Sequence, residues 1–244
     1  MKIGIAGGGA FGTALGVALA LDGNAITLWA RNPNAVETMQ NTRYNAKLPG
    51  VPLPENMVFS AGLDPLFACD VILLAIPAQT LRAFLQEHGD QLSGKYLVAC
   101  CKGIDLTRMT GPASTIRDLV PGAIAAMLPG PSFAADIARG LPTALTIACA
   151  DDEAGAILQT ALSTTALRLY RTTDTVGAEL GGALKNVIAI ASGICIGARY
   201  GESARAALIT RGFPEIQRLS LALGAQPDTL AGLSGFGDLV LTCT

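Results

Sequence analysis

The stretch that decides the fold is Lys2-Ile3-Gly4-Ile5-Ala6-Gly7-Gly8-Gly9-Ala10-Phe11-Gly12. Lys2–Ala6 reads as a short strand, and Gly12–Asp22 as a helix stopped by Gly23. Between them Gly7, Gly9 and Gly12 fit G-x-G-x-x-G in the strand–turn–helix context that the pattern needs. The first glycine makes the tight turn, the second lets the backbone approach a pyrophosphate, and the third lets the helix pack on the strand. The free amides and positive dipole end at the helix N-terminus suit an anion. The stretch predicts a dinucleotide-binding α/β fold.

Working outward, Ala25–Trp29 reads as a second strand, and Asn32-Pro33 as a helix start with a capping side chain followed by a first-turn proline. Pro49, Pro52 and Pro54 read as a loop, Met57–Ser60 as a strand, and Asp64-Pro65 as the opening of a short helix. Val71–Ile76 is apolar without alternation, as in a strand buried on both faces of a parallel sheet. Thr80–His88 reads as helix, Leu97–Cys101 as strand, Ala113–Leu119 as helix and Ala123–Leu128 as strand. Ser132–Arg139 reads as a helix closed by Gly140. Thr143–Cys149, Glu153–Leu162 and Leu167–Arg171 continue as strand, helix and strand. Alternation of this kind implies βαβ units in a Rossmann-type, mostly parallel sheet with helices on both faces.

After about Thr173 the pattern becomes helical. Val176–Arg199 reads as one long helix, Ser203–Arg211 as a helix ending at Gly212, and Pro214–Leu223 as another ending at Gly224. The expected division is a dinucleotide-binding domain over 1–173 and an all-α substrate domain over 174–244.

Of 244 residues, 50% are hydrophobic and 15% charged, with a net charge of −2, enough apolar material for a sizeable core. No basic block marks a nucleic-acid surface. None of the six cysteines shows the C-x-x-C spacing of a metal or redox site, so reduced thiols in a cytoplasmic protein are expected and no metal is assigned. Ile3–Leu21 follows Lys2 without a charge and reaches Ala18-Leu19-Ala20, but its glycines break the signal-peptide pattern. The apolar run Val187–Ala198 is too short to span a bilayer.

The residues after the second strand, Trp29-Ala30-Arg31-Asn32, include no acid for a ribose 2′-hydroxyl. Arg31 suits a 2′-phosphate or is a solvated surface charge, so both NAD and NADP remain open. Lys185 is the only charge in Gly181–Ile196, and a charge there must snorkel, pair or do chemistry. His88, the only histidine, falls in the polar run Glu87-His88-Gly89-Asp90, where a helix-end surface role is expected.

Further segments carry a resemblance. They are Cys101-Lys102-Gly103-Ile104, Gly130-Pro131-Ser132-Phe133-Ala134, Leu184-Lys185-Asn186-Val187-Ile188-Ala189, Ala204–Gly212, and Leu233-Ser234-Gly235-Phe236-Gly237-Asp238-Leu239. Together with Gly7–Leu15, and in order along essentially the whole chain, they resemble the bacterial type of NAD(P)-dependent glycerol-3-phosphate dehydrogenase. The resemblance implies hydride transfer between NAD(P)H and the C2 carbonyl of dihydroxyacetone phosphate, giving glycerol 3-phosphate for phospholipid synthesis.

It also implies Lys185 as the acid/base at the C2 oxygen. Such a lysine must release its proton readily, and a neighbouring cation, for which Lys102 is the candidate, favours release. Lys102, Gly130, Ser132 and Asp238 are implied at the substrate, with Asp238 positioning Lys185 or a substrate hydroxyl. Gly7, Gly9, Ala10, Phe11, Gly12, Arg31, Lys102 and Ala134 are implied at the cofactor. A homodimer is implied as well.

There are departures. Ile196-Gly197 stands where the family usually has Asp-Gly, with Glu202 the candidate to compensate. The chain ends at Thr244, before an Arg-Asn pair that the family places at substrate and cofactor, so it reads as C-terminally truncated. Two rival readings stay open at this point: a reductase of the β-hydroxyacid dehydrogenase type, and a catalytically silent NAD(P)-binding remnant.

Overall fold

The computed structural model describes residues 1–244. In chain order β1 (Ile3–Ala6), α1 (Ala10–Leu21), β2 (Ile26–Trp29) and α2 (Pro33–Thr42) are followed by a small hairpin, β3 (Tyr44–Asn45) and β4 (Leu48–Pro52). Then come β5 (Met57–Ser60), α3 (Asp64–Phe67), β6 (Val71–Leu74), α4 (Ala78–Leu92), β7 (Tyr96–Ala99), α5 (Pro112–Leu119), β8 (Ile124–Met127) and α6 (Ala134–Ala138). The sheet is completed by β9 (Thr143–Cys149), α7 (Asp152–Leu162) and β10 (Leu167–Thr172). The rest is helical: α8 (Thr175–Gly197), α9 (Gly201–Ala222), α10 (Pro227–Ala231), a π-helical turn Leu233–Gly237, and α11 (Asp238–Cys243).

The eight-stranded sheet has the order β10-β9-β8-β7-β6-β1-β2-β5. All neighbours are parallel except β8 and β9, so the strands from β5 to β8 run one way and the last pair runs back. The chain order reverses between β1 and β6, which pair from Ile3↔Val71 to Ala6↔Leu74. A ligand crevice is expected outside the carboxyl ends of strands at such a switch point. Val71–Leu74 are wholly buried, as their unbroken apolar run requires. One apolar cluster gathers Ile5, Leu15, Leu28, Leu73 and Leu145, and a second, on the other face, Leu74, Leu81, Leu97 and Ile116. This is the mostly parallel Rossmann sheet with a helical continuation that the alternation implied.

Several expectations are corrected. The proline stretch 49–54 is not simply a loop, because Leu48–Pro52 forms the hairpin strand β4 against Tyr44 and Asn45. Proline is tolerated in a two-stranded ribbon, where half the amides need no partner. Helix α9 does not stop at Gly212 and continues through Pro214. Gly212 is a contact: a Cβ there would lie 2.5 Å from Ile188 Cδ1 on α8, so the missing side chain lets the two long helices cross closely. The helix expected from Ser132 starts at Ala134 and is short. His88 lies within α4 rather than at its end, with its ring 5.0 Å from that of Phe84 and 5.5 Å from that of Phe67.

Helix α8 has 23 residues and, by length and composition alone, is apolar enough to cross a membrane, which the run Val187–Ala198 is not. It buries Glu179 and Lys185 against other elements of the protein.

Candidate active site

The switch-point crevice is a cleft of about 1330 Å³, lined among others by Gly7, Gly9, Phe11, Arg31, Ala75, Lys102 and Ser132. Its floor follows from glycine geometry. Gly7 has φ +128°, and a Cβ there would sit 2.3 Å from the Ala75 carbonyl oxygen. At Gly12 a Cβ would be 2.3 Å from the Gly7 carbonyl oxygen and 2.9 Å from Ala75 Cβ, so this position seats α1 on the sheet. Gly9 is different: nothing of the protein lies within 4 Å of a Cβ built there. The protein's own packing does not demand glycine at 9, and the space above it suits the pyrophosphate of a dinucleotide. Gly9 is also the N-cap of α1 and supplies no side-chain cap, leaving the first-turn amides to an anion. The cleft therefore fits NAD or NADP.

The missed β3–β4 hairpin forms one wall. Tyr44, Asn45 and Lys47 line the cleft, and Asn45 Nδ2 donates to the Gly8 carbonyl at 3.2 Å and to Thr13 Oγ1 at 2.7 Å, bracing the glycine loop. Arg31 is exposed at the same wall. Of the other cofactor candidates, Ala10 is the first residue of α1, and Ala134 is partly buried on α6, which packs against α1. Ala10, Gly12 and Ala134 lie outside the cleft lining.

Lys102, in the loop after β7, joins the cleft to a second constellation. Its Nζ donates to Asp238 Oδ2 at 2.6 Å and to the Gly130 carbonyl at 3.1 Å. Lys185 Nζ donates to the other carboxylate oxygen, Asp238 Oδ1, at 2.7 Å, and to Thr242 Oγ1 at 2.7 Å. One carboxylate thus carries an ammonium on each oxygen. Asp238 has 1% of its side chain exposed, Lys185 10% and Lys102 25%. Buried charges of this kind are tolerated only when paired. Burial pushes the Lys102 ammonium below its usual value; Asp238 pulls it back, and Lys185 adds to the lowering.

Small residues make the constellation possible. On α8 the adjacent Gly181 and Gly182 face different neighbours. A Cβ at Gly181 would be 2.5 Å from the Ser234 carbonyl, so the π-helical turn presses directly on α8. Gly182 receives the aliphatic stem of Lys102, whose Cγ lies 3.4 Å from a Cβ built there. A π-helical turn in this position sets the start of α11, and with it Asp238. Gly130, with φ +143°, aims its carbonyl at Lys102 in a conformation that side chains disfavour. Ser132 Oγ is buried without a hydrogen-bond partner and lines the cleft, leaving a hydroxyl free for a ligand.

The structure brings Lys102, Gly130, Lys185 and Asp238 together, with Ser132 at the adjoining wall. Thr242 was not foreseen. It lies one turn after Asp238, bonds back to the Asp238 carbonyl at 2.7 Å, and its only sequence signal is that spacing. Ile196 is 37% exposed near the end of α8. Glu202 pairs with Arg205 on its own helix rather than with α8.

Comparison with known proteins identifies the family. The sequence model for the NAD-dependent glycerol-3-phosphate dehydrogenase N-terminus matches residues 2–155, and that for the C-terminus matches residues 174–244. A glycerol-3-phosphate dehydrogenase (NAD(P)+) from Ruegeria sp. is 60% identical over 100% of this chain and 76% of its own length. One from Paracoccus denitrificans is 59% identical over the same shares. The crystal structure of glycerol-3-phosphate dehydrogenase from Coxiella burnetii superposes with a TM-score of 0.94 at 34% identity, covering 100% of this chain and 75% of that one. A ketopantoate reductase from Ralstonia eutropha shares the fold at a TM-score of 0.67 and 17% identity. A glycine-floored dinucleotide cleft ending at a lysine–carboxylate–lysine cluster, with these relatives over its whole length, places the chain in the family of NAD-dependent glycerol-3-phosphate dehydrogenases, oxidoreductases that use NAD or NADP.

Proposed function

We propose that the chain reduces the C2 carbonyl of dihydroxyacetone phosphate to sn-glycerol 3-phosphate, with Lys185 as the acid at the C2 oxygen. The observation that carries this is the shared carboxylate. Asp238 holds Lys102 and Lys185 within hydrogen-bond distance of its two oxygens, and Lys102 is at once part of the cofactor cleft. NADH or NADPH bound in that cleft supplies the hydride.

In this reading Lys185 donates a proton to the oxygen that becomes the alcohol, and recovers it in the reverse reaction. Its ammonium is aimed by Asp238 and Thr242. Lys102, with Gly130 and Ser132 beside it, binds substrate oxygens at the cleft's inner end. Gly7, Gly9, Ala10 and Phe11 would hold the cofactor through their backbone, and Arg31 would meet its adenosine side. Gly12 and Ala134 act by seating α1 and α6. The split of labour follows the chain, with 1–173 as the dinucleotide-binding domain and 174–244 as the substrate domain.

The finer points of setting belong to the same proposal. Six free cysteines fit a cytoplasmic protein. The stripe Val187, Ile190 and Ile194, each about two-thirds exposed on one face of α8, offers an apolar surface to a second copy in a homodimer. The buried charges of α8 speak against a membrane span. Glycerol 3-phosphate formed here serves phospholipid synthesis.

The test is coenzyme oxidation by the purified chain with NADH and with NADPH. Dihydroxyacetone phosphate is run beside β-hydroxyacid-type substrates and a phosphate-free analogue, dihydroxyacetone. Turnover confined to the phosphorylated ketone is expected. Turnover of a ketoacid instead supports the β-hydroxyacid dehydrogenase reading, and coenzyme binding with no turnover of any substrate contradicts the proposal.

A further inference from the structure

Glu179 is a buried acid that the mechanism above leaves unused, 6% exposed on α8, six residues before Lys185. Its carboxylate crosses to α5. Oε1 accepts from the Ser114 amide at 3.0 Å, and Oε2 from the Ser114 hydroxyl at 3.2 Å. The N-cap of α5 is Gly111, which has no side chain to cap with. Glu179 fills that space so closely that a Cβ at Gly111 would lie 2.2 Å from its Cδ. A carboxylate at a helix N-terminus satisfies amides otherwise left without partners. Arg117 closes the arrangement, donating to Ser114 Oγ at 2.9 Å and to Thr175 Oγ1, in the first turn of α8, at 3.3 Å.

The segment that this contact anchors is the one that carries Lys102. The loop from Cys100 to Gly111 leaves β7 and ends at the α5 N-cap that Glu179 grips. Along α8, Glu179 holds the end of that loop, Gly182 bears the stem of Lys102, and Lys185 meets Asp238. Asp238 can bind both ammoniums only if loop and helix keep one register.

We propose that Glu179 is a positioning residue, capping α5 from α8 so that Lys102 and Lys185 are held on the same carboxylate. The proposal rests on the reading of those lysines given above. Burial pushes the Glu179 carboxyl above its usual range, opposed chiefly by the Ser114 amide and hydroxyl; Arg117 on α5 also faces it, and Cys101 is its ionisable neighbour on the loop. An acid kept at this cost by hydrogen bonds from the first turn of α5 is suited to fixing geometry.

The experiment compares the full chain with Glu179→Ala, Glu179→Gln and Lys185→Ala. Reductive methylation with formaldehyde and borohydride, resolved by mass spectrometry, reports how often Lys102 leaves its partners, and needs no turnover. Steady-state kinetics with dihydroxyacetone phosphate report the consequence. Glu179→Ala is expected to raise the Lys102 methylation rate by roughly tenfold through local opening. It is expected to lower kcat by about tenfold or more through misplacement, with NADPH affinity unchanged. Glutamine has the same shape, still accepts from the Ser114 amide, and is expected to stay within about threefold of the parent chain in both readouts. A lowered melting temperature with unchanged Lys102 reactivity and kcat overturns the proposal and leaves an ordinary helix cap. So does glutamine behaving as badly as alanine. Should the alanine variant not fold, Glu179→Asp, one methylene short of Ser114, replaces it, and unchanged Lys102 reactivity there overturns the proposal equally. Lys185→Ala keeps the outcomes separate: full turnover in that variant defeats the acid/base reading, whatever Glu179 does.

Discussion

The glycine floor of the cleft and the lysine–carboxylate cluster at its inner end are built in opposite ways. The floor is contiguous, Gly7–Gly12, and acts through backbone, so what matters is which positions lack a side chain. The cluster joins residues 102, 185 and 238 from three separate elements and acts through side-chain charge. The first is a local property of the sequence. The second exists only after the sheet, α8 and α11 have packed. Cofactor binding and chemistry should therefore fail separately when each is damaged.

The largest effect is expected at Asp238. Replacing it with alanine leaves two buried ammoniums without their shared partner. Breaking a buried pair costs about 3–5 kcal/mol, and the partial exposure of Lys102 puts the expected loss at the lower end. Urea unfolding should show that loss, and turnover should vanish even where the chain remains folded. Stability and turnover both unchanged would mean that the cluster does not act as one unit.

The glycine floor divides internally. Gly7→Ala forces a side chain into a left-handed backbone and against the Ala75 carbonyl, so a loss of about 1–3 kcal/mol is expected together with loss of coenzyme binding. Gly9→Ala enters open space, so its melting temperature should hold. Its NADPH affinity should fall by roughly tenfold, because the methyl occupies the anion's approach. Calorimetric titration and thermal melts of the pair check this, and equal behaviour of the two would remove the distinction.

A smaller effect belongs to Lys102→Met, which keeps the stem on Gly182 and removes the charge. The KM for dihydroxyacetone phosphate should rise more than kcat falls, by roughly tenfold, because the lost interaction is mainly one of binding.

The smallest is a slope. Glu179's carboxyl is raised above its ordinary 4.5, so between that value and its folded value the native state binds more protons than the unfolded chain. Stability from this group should therefore fall as pH rises through that window. Glu179→Gln should flatten that part of the stability–pH curve, and an unchanged slope would show that another group causes it.

The same contrast explains what could be read from the sequence. The glycine loop, the apolar run at Val71–Leu74 and the capping Asn32 are legible because their causes are local. Lys185 is legible as a lone charge in an apolar helix. Lys102 and Asp238 read as ordinary surface charges without the resemblance, since their burial depends on contacts more than 100 residues apart in the chain. Gly212 and the prolines at 49–54 misled for a related reason. Glycine as a stop and glycine as a contact look alike until Ile188 is seen lying on it. Glu179 carried no signal that spacing could expose, and Thr242 only its place one turn after Asp238, because each is defined by a partner on another element.

The most direct test of the account separates binding from chemistry in Lys185→Ala, by coenzyme titration followed by single-turnover oxidation of NADPH with saturating dihydroxyacetone phosphate. Coenzyme affinity should equal that of the parent chain, and oxidation should be slower by about 10²–10⁴-fold, the range of a lost general acid. Oxidation within a few-fold of the parent chain, with the coenzyme bound, would contradict the assignment of the proton to Lys185.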